Sequence, residues 1–162
     1  QQPQQTYGYQ AQQTHGAPAV RGGSHGSIAS SSGQPLFVST DLGCGESTWE
    51  QADACCKQNG LVLASLDSAE KNNFVNQEMA KRGLPFWWIG GRNNGGQWIW
   101  IKNSSPISAY FWSNTGAAGT PQPDNREGNE VCLAVMNNFY KDGIVWHDIA
   151  CHHPKPFVCE RA

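Results

Sequence analysis

From Pro35 onward the apolar residues come in short runs, and their spacing changes from run to run. Leu36-Phe37-Val38 is a continuous apolar run and reads as a first strand. Thr48 then precedes Trp49-Glu50-Gln51-Ala52, with Gln51 three residues on, so a capping box is expected to open a first helix. Trp49, Ala52 and Cys56 fall on one face of that helix, and Gly60 ends it. Leu61-Val62-Leu63-Ala64 is a short extended run. Asp67 or Ser68 caps a second helix that runs to about Lys81. Phe74, Val75 and Met79 form its apolar stripe, and Gly83 stops it.

The second half reads as strands. Trp88-Ile89-Gly90-Gly91 and Gln97-Trp98-Ile99-Trp100 flank the turn signal Asn93-Asn94-Gly95-Gly96. Trp88, Trp98 and Trp100 are expected in the core, where large aromatic surfaces are best buried. Glu130 to Met136, Ile144-Val145-Trp146 and Pro156-Phe157-Val158-Cys159 complete the set. The expected class is α+β, two helices with mostly antiparallel sheets.

Two stretches carry no such pattern. Residues 1–34 are dominated by Gln, Gly, Ser, Ala and Pro, with few bulky side chains. They cannot bury enough apolar surface to offset the entropy of ordering, so alone they should be disordered. Residues 35–162 are read as the folded domain. Gln-rich tracts with interspersed tyrosine can pair as strands between chains. Such an arm can add a strand to the sheet of another copy, giving a homo-oligomer or filament, or it can lie on its own domain. The other patternless stretch, Lys102 to Asn129, is long for a loop inside a compact domain, which suggests function.

Composition narrows the classes. Net charge is -2 and 15% of residues are charged, without the clustered Lys and Arg of a nucleic-acid or anionic-membrane surface. No run approaches the about 18 apolar residues needed to span a bilayer. The chain begins with Gln1 and carries no apolar signal segment, as in a mature product whose signal was removed or a trimmed chain. Six cysteines suggest disulfides and a secreted, extracellular setting, though spacing alone leaves their pairing open. A zinc site at Cys151-His152-His153 is disfavoured, because the thiols are better used in bridges. Asn103-Ser104-Ser105 is a glycosylation sequon followed by Pro106. Enzyme readings find little support. The Gly-x-Ser-x-Gly match at Gly22–Gly26 lies in the arm, without the strand and helix that a nucleophile elbow requires. Asp124 and Glu130 are paired carboxylates, but their amide neighbours fit a cation cage better than an acid/base pair.

The chemistry concentrates in Gln122-Pro123-Asp124-Asn125-Arg126-Glu127-Gly128-Asn129-Glu130-Val131-Cys132. Gln122, Asp124, Asn125, Glu127, Asn129 and Glu130 supply side-chain oxygens, and Trp146-His147-Asp148 follows before Cys151. Calcium takes about 6–8 oxygen ligands from carboxylates, amides and carbonyls, and this stretch offers that donor set.

These residues resemble the C-type lectin-like domain over about residues 36–161. Gln122-Pro123-Asp124 is similar to the family's galactose-type tripeptide, the counterpart of its mannose-type Glu-Pro-Asn. Glu130, two residues before Cys132, matches the ligand glutamate, and Trp146-His147-Asp148 matches Trp-Asn-Asp. Trp88-Ile89-Gly90-Gly91 resembles Trp-Ile-Gly-Leu, with Gly91 replacing the leucine. His147 stands where the family has an asparagine ligand, and imidazole suits zinc, copper or iron better than calcium.

The resemblance implies one calcium ion held by Gln122, Asp124, Glu130 and Asp148. The sugar-binding set adds His147 to these, and the glycans expected are those ending in galactose or N-acetylgalactosamine. Pro123 would be cis. The family's auxiliary calcium site looks absent, because Gly95 and Val131 replace its acids. The alternative use is a structural or self-assembling extracellular protein that binds protein, or sugar only weakly. The resemblance also pairs Cys132 with Cys151 and Cys56 with Cys159, leaving Cys44 to Cys55; the rival is Cys55 with Cys159 and Cys44 with Cys56. An aromatic against the apolar face of the sugar is expected, and Phe139 and Tyr140 are the nearest in sequence.

Overall fold

The structure is a computed structural model that describes residues 27–29, 35–108 and 111–162. It holds two helices and two sheets. The first sheet has the order β1-β2-β9-β3, built from β1 (Ser27–Ala29), β2 (Pro35–Val38), β9 (Val158–Arg161) and β3 (Leu61–Leu63). The second has the order β6-β5-β4-β7-β8. Its strands are β6 (Ser105–Pro106), β5 (Gln97–Trp100), β4 (Phe86–Asn94), β7 (Cys132–Asn137) and β8 (Ile144–Ile149). Every pairing within the two sheets is antiparallel. The expected α+β class is what the chain forms.

Local sequence explains where the helices begin and end. Helix α1 (Trp49–Gln58) opens on the full capping box: Thr48 Oγ1 accepts from the Gln51 N–H, and Gln51 Oε1 accepts from the Thr48 N–H. Its buried face is Trp49, Ala52, Cys55 and Cys56. Helix α2 (Ala69–Arg82) is capped by Ser68, and Gly83 ends it in the left-handed conformation at φ 63°. Val75 and Met79 are wholly buried and Phe74 packs beside them, so the apolar stripe faces the core. Asn72 shares that face, because its Oδ1 accepts from the buried Trp146 indole N–H at 3.0 Å.

Two clusters make up the core. One gathers Leu36, Leu66, Val75, Met79, Trp87, Ile89, Trp100, Leu133, Val135 and Trp146 between α2 and the larger sheet. The other joins α1 to β3, β4 and β7 through Trp49, Ala52, Leu63, Trp88 and Ala134, with Phe157 just before β9. Three disulfides staple the domain: Cys44–Cys55, Cys56–Cys159 and Cys132–Cys151. The pairing is the one implied by the family resemblance, and the rival pairing does not form. Trp88, Trp98 and Trp100 are buried, as expected of core residues.

Gly91 shows why this chain departs from the family's leucine. A Cβ built there would lie 2.8 Å from Leu133 Cβ and 3.1 Å from Leu133 Cγ, with Cδ2 closer still. Leu133 occupies the space, and the β4–β7 register shifts between Trp88 and Arg92.

Within the N-terminal arm, residues 27–29 form β1 and pair with β2 of the same chain. The rest of the arm, including Gly22–Gly26, lies outside the described residues, and so does its expected role in assembly.

Candidate functional site

The long stretch between β6 and β7 is anchored along its base to β8. Trp112 bridges Trp146, the Ser113 N–H donates to the Trp146 carbonyl at 3.0 Å, and the Trp146 N–H donates to the Phe111 carbonyl at 2.8 Å. Trp112 also packs edge-on against Trp98 and Trp146. From this base the Gln122 N–H reaches the Ser113 carbonyl at 2.8 Å. The Gln122–Pro123 peptide is cis, as the resemblance implied.

Beyond Pro123 the backbone wraps around carboxylates. Asp148, on β8 and 2% exposed, accepts from the Asp124 N–H at 3.2 Å and from the Asn125 N–H at 2.7 Å. Glu130 accepts from the Arg126 N–H at 2.8 Å, while its own N–H donates to Asn125 Oδ1 at 2.9 Å. The turn that results brings one carboxylate oxygen each of Asp124, Glu130 and Asp148 within 4.8 Å of one another. Burial, with Asp148 and then Asp124 and Glu127 nearby, pushes the Glu130 carboxyl up to about 7, partly opposed by the Arg126 N–H. Burial raises Asp148 too, against the two N–H groups it accepts. Three acids held this close, with Glu130 and Asp148 raised in proton affinity, lack a counter-charge among themselves. A divalent cation with oxygen preference is the species that fits.

Gln122, Asp124, Glu130, His147 and Asp148 all line one cavity of about 820 Å³. The sequence-derived set is therefore brought together. Gln122 is held against the loop, since a Cβ on Gly116 would collide with its amide nitrogen. His147 stands apart in role. Its ring is buried, and Nε2 lies 2.9 Å from Asp142 Oδ2, not within the carboxylate triad. Burial lowers its proton affinity despite Asp142 and Asp148 nearby, so the ring is neutral at neutral pH.

Asp142 is a residue that the sequence reading missed. It lies in the β7–β8 hairpin, and the Asp142-Gly143 pair signals only a turn. Phe139 and Tyr140 belong to the same hairpin. They are 43% and 38% exposed, pack edge-on at 4.9 Å between ring centroids, and line the cavity. Lys155, which also lines it, was missed too, and nothing in Pro154-Lys155-Pro156 marks it out. Cys151 is bonded to Cys132, and His153 pairs with Glu127 at 3.0 Å, so Cys151, His152 and His153 do not form a zinc cluster.

Comparison with known proteins agrees with the fold. Residues 45–161 match the Lectin C-type domain family. L-selectin of Bos taurus is 30% identical over 120 residues, covering 70% of this chain and 30% of that protein, so the chain spans less than a third of it. Salivary C-type lectin 2 of Aedes albopictus is 31% identical over 122 residues, covering 70% of this chain and 77% of that protein. The mouse scavenger receptor C-type lectin carbohydrate-recognition domain superposes with a TM-score of 0.62 at 24% identity, covering 80% of this chain and 90% of that one. With this match across most of the folded residues, the chain belongs to the C-type lectin domain family.

Proposed function

We propose that this chain is a secreted, extracellular lectin that binds terminal galactose or N-acetylgalactosamine through a calcium ion. The residues that would hold the ion are Gln122, Asp124, Glu130 and Asp148. The observation that carries the reading is the convergence of three carboxylates within 4.8 Å, on a cavity that Gln122 also lines. When bound, calcium supplies coordination to two vicinal sugar hydroxyls. The donors are all oxygens, which suits a hard cation, and buried His147 leaves the triad free of nitrogen.

The chain's own groups set the selectivity. Carboxylates accept hydrogen bonds from sugar hydroxyls, while the Gln122 amide offers both a donor and an acceptor. The order of amide and acid across Pro123 therefore decides which hydroxyl arrangement is satisfied. Phe139 and Tyr140 stand exposed on the cavity, where a ring face can cover the apolar side of a pyranose. Among the described residues, Phe139 and Tyr140 are the large apolar side chains that stand exposed, which supports a ligand-facing role.

A glycan array probed with calcium and again with chelator tests the reading. Galactose-terminated glycans should bind with calcium and be lost on chelation. Asp124→Ala should abolish the signal while thermal unfolding stays cooperative, because Asp124 is only half-buried and the three disulfides remain. Undiminished calcium-dependent binding by that variant would overturn the assignment.

A further inference from the structure

Lys155 is a buried cation that the proposed ion site does not use. Its backbone is fixed by reciprocal hydrogen bonds with Ser47, at 2.9 and 3.0 Å. Its side chain crosses the Phe86 ring, with Nζ 3.8 Å from the ring centroid, and lies 5.5 Å from that of Trp88. The residue is 6% exposed, yet it lines the cavity that holds the carboxylate triad. Among the described residues its ammonium makes no ion pair or hydrogen bond.

That arrangement is costly for a purely structural residue. A buried ammonium is normally paired, and aromatic faces compensate only in part. Burial draws its proton affinity down to about 8, with Glu46 and then Glu127 opposing the shift from a distance. Glu127 is already engaged by His153 at 3.0 Å. At neutral pH the amine is still mainly charged. A methionine would fill the same space between the rings without desolvating a charge. Arg126 lines the same cavity, and so do four carboxylates, Asp124, Glu127, Glu130 and Asp148, three of which form the proposed ion site. The Phe86 ring lies 6.2 Å between centroids from that of Phe139, which lines the cavity together with Tyr140.

Building on the glycan-binding reading, we propose that Lys155 takes an anionic substituent, a sulfate ester or a carboxylate, of the sugar that occupies this cavity. Lys155 is thus a specificity-determining residue, and the chain favours acidic over neutral galactose-type glycans. The substituent would supply the oxygen acceptors that the ammonium lacks, in a charge-assisted hydrogen bond shielded from water.

The test uses the full chain with calcium and three sets of glycans: neutral galactosides, their sulfated counterparts and their carboxylate-bearing counterparts. Acidic glycans should bind about tenfold more tightly than neutral ones. Lys155→Met should equalise them while neutral galactoside binding persists, and Lys155→Arg should keep most of the preference. Loss in the sulfated arm alone, or in the carboxylate arm alone, identifies the substituent. A second readout needs no sugar. The NMR signal of the Lys155 side-chain amine is followed as sodium sulfate replaces sodium chloride at matched ionic strength, and it should shift saturably. If no galactoside binds while that signal responds, the galactose reading fails and the anion site stands. If neutral galactosides bind but neither acidic preference nor sulfate response appears, or if Lys155→Met keeps the preference, the anion site is overturned.

Discussion

His147 Nε2 lies 2.9 Å from Asp142 Oδ2, and the two side chains are 2% and 3% exposed. The Ser113 hydroxyl donates to the same carboxylate oxygen at 2.6 Å, and the Ser113 carbonyl accepts the Gln122 N–H at 2.8 Å. A connected path therefore runs from the imidazole through Asp142 and Ser113 to the Gln-Pro-Asp tripeptide. His147 thereby ties β8 to the base of the loop and stands outside the carboxylate triad.

His147→Asn tests that role. The shorter amide would not span to Asp142, whose other oxygen, Oδ1, is already buried without a partner. Leaving the carboxylate with fewer donors costs about 1–3 kcal/mol. The urea midpoint should fall accordingly. Adding Asp142→Ala should cost less than the sum of the two single changes, because both remove the same interaction. Strict additivity would show that the pair is not a unit.

Glu130 gives a pH dependence with a definite sign. Its folded-state affinity is raised to about 7 from an ordinary 4.5. The folded state therefore holds a proton that the unfolded state releases, and without a divalent cation stability falls as pH rises from about 4.5 to about 7. Glu130→Gln keeps an oxygen for the Arg126 N–H but carries no charge. In chelator at pH 8 it should be more stable than the parent by about 1–3 kcal/mol, with the gap closing toward pH 5. Calcium should raise the parent's melting temperature and leave the variant's nearly unchanged. A variant that melts lower than the parent in chelator at pH 8 would contradict the argument.

How much of this could be read from the residues depends on the range of the interaction. The Thr48–Gln51 box and the Gly83 stop were legible because each is settled within one helical turn. The acids of the site were legible because Asp124 and Glu130 lie close in sequence and Asp148 sits in a recognisable triplet. The His147–Asp142 contact was not, because it depends on how the β7–β8 hairpin folds back. Lys155 was illegible for the same reason: its rings come from β4, some seventy positions away. The disulfide pairing came through family resemblance, since spacing alone left it open. Residues 27–29 show a further limit. Their composition marks no strand, yet β2 offers an edge to pair with.

The capping box itself yields a stability prediction. Thr48 Oγ1 accepts the Gln51 N–H at 3.3 Å, at the start of the helix that carries two disulfide cysteines, Cys55 and Cys56. Thr48→Ala should cost about 1 kcal/mol, while Thr48→Ser or Thr48→Asp should cost little. Chemical denaturation of the oxidised protein measures this directly. Equal loss in all three variants would mean that the hydroxyl contributes nothing.

The last prediction joins the core to the site. Leu133 fills the space beside Gly91, and in the β7–β8 register it stands opposite Asp148. Restoring the family's leucine, Gly91→Leu, drives a side chain into Leu133. Overpacking of this kind costs about 1–3 kcal/mol, occasionally more. Leu133→Ala alone opens a cavity and costs about 2–5 kcal/mol. Together the two changes exchange one side chain for another across the same gap, so their combined cost should be well below the sum. Gly91→Leu should also weaken calcium binding, because pushing Leu133 displaces the strand position that holds Asp148. The double variant should recover part of that affinity. Denaturation curves and calcium titration of the four proteins form a closed cycle. Additive stability costs would show that Gly91 and Leu133 do not compete for space, and unchanged calcium affinity in Gly91→Leu would separate this core position from the site.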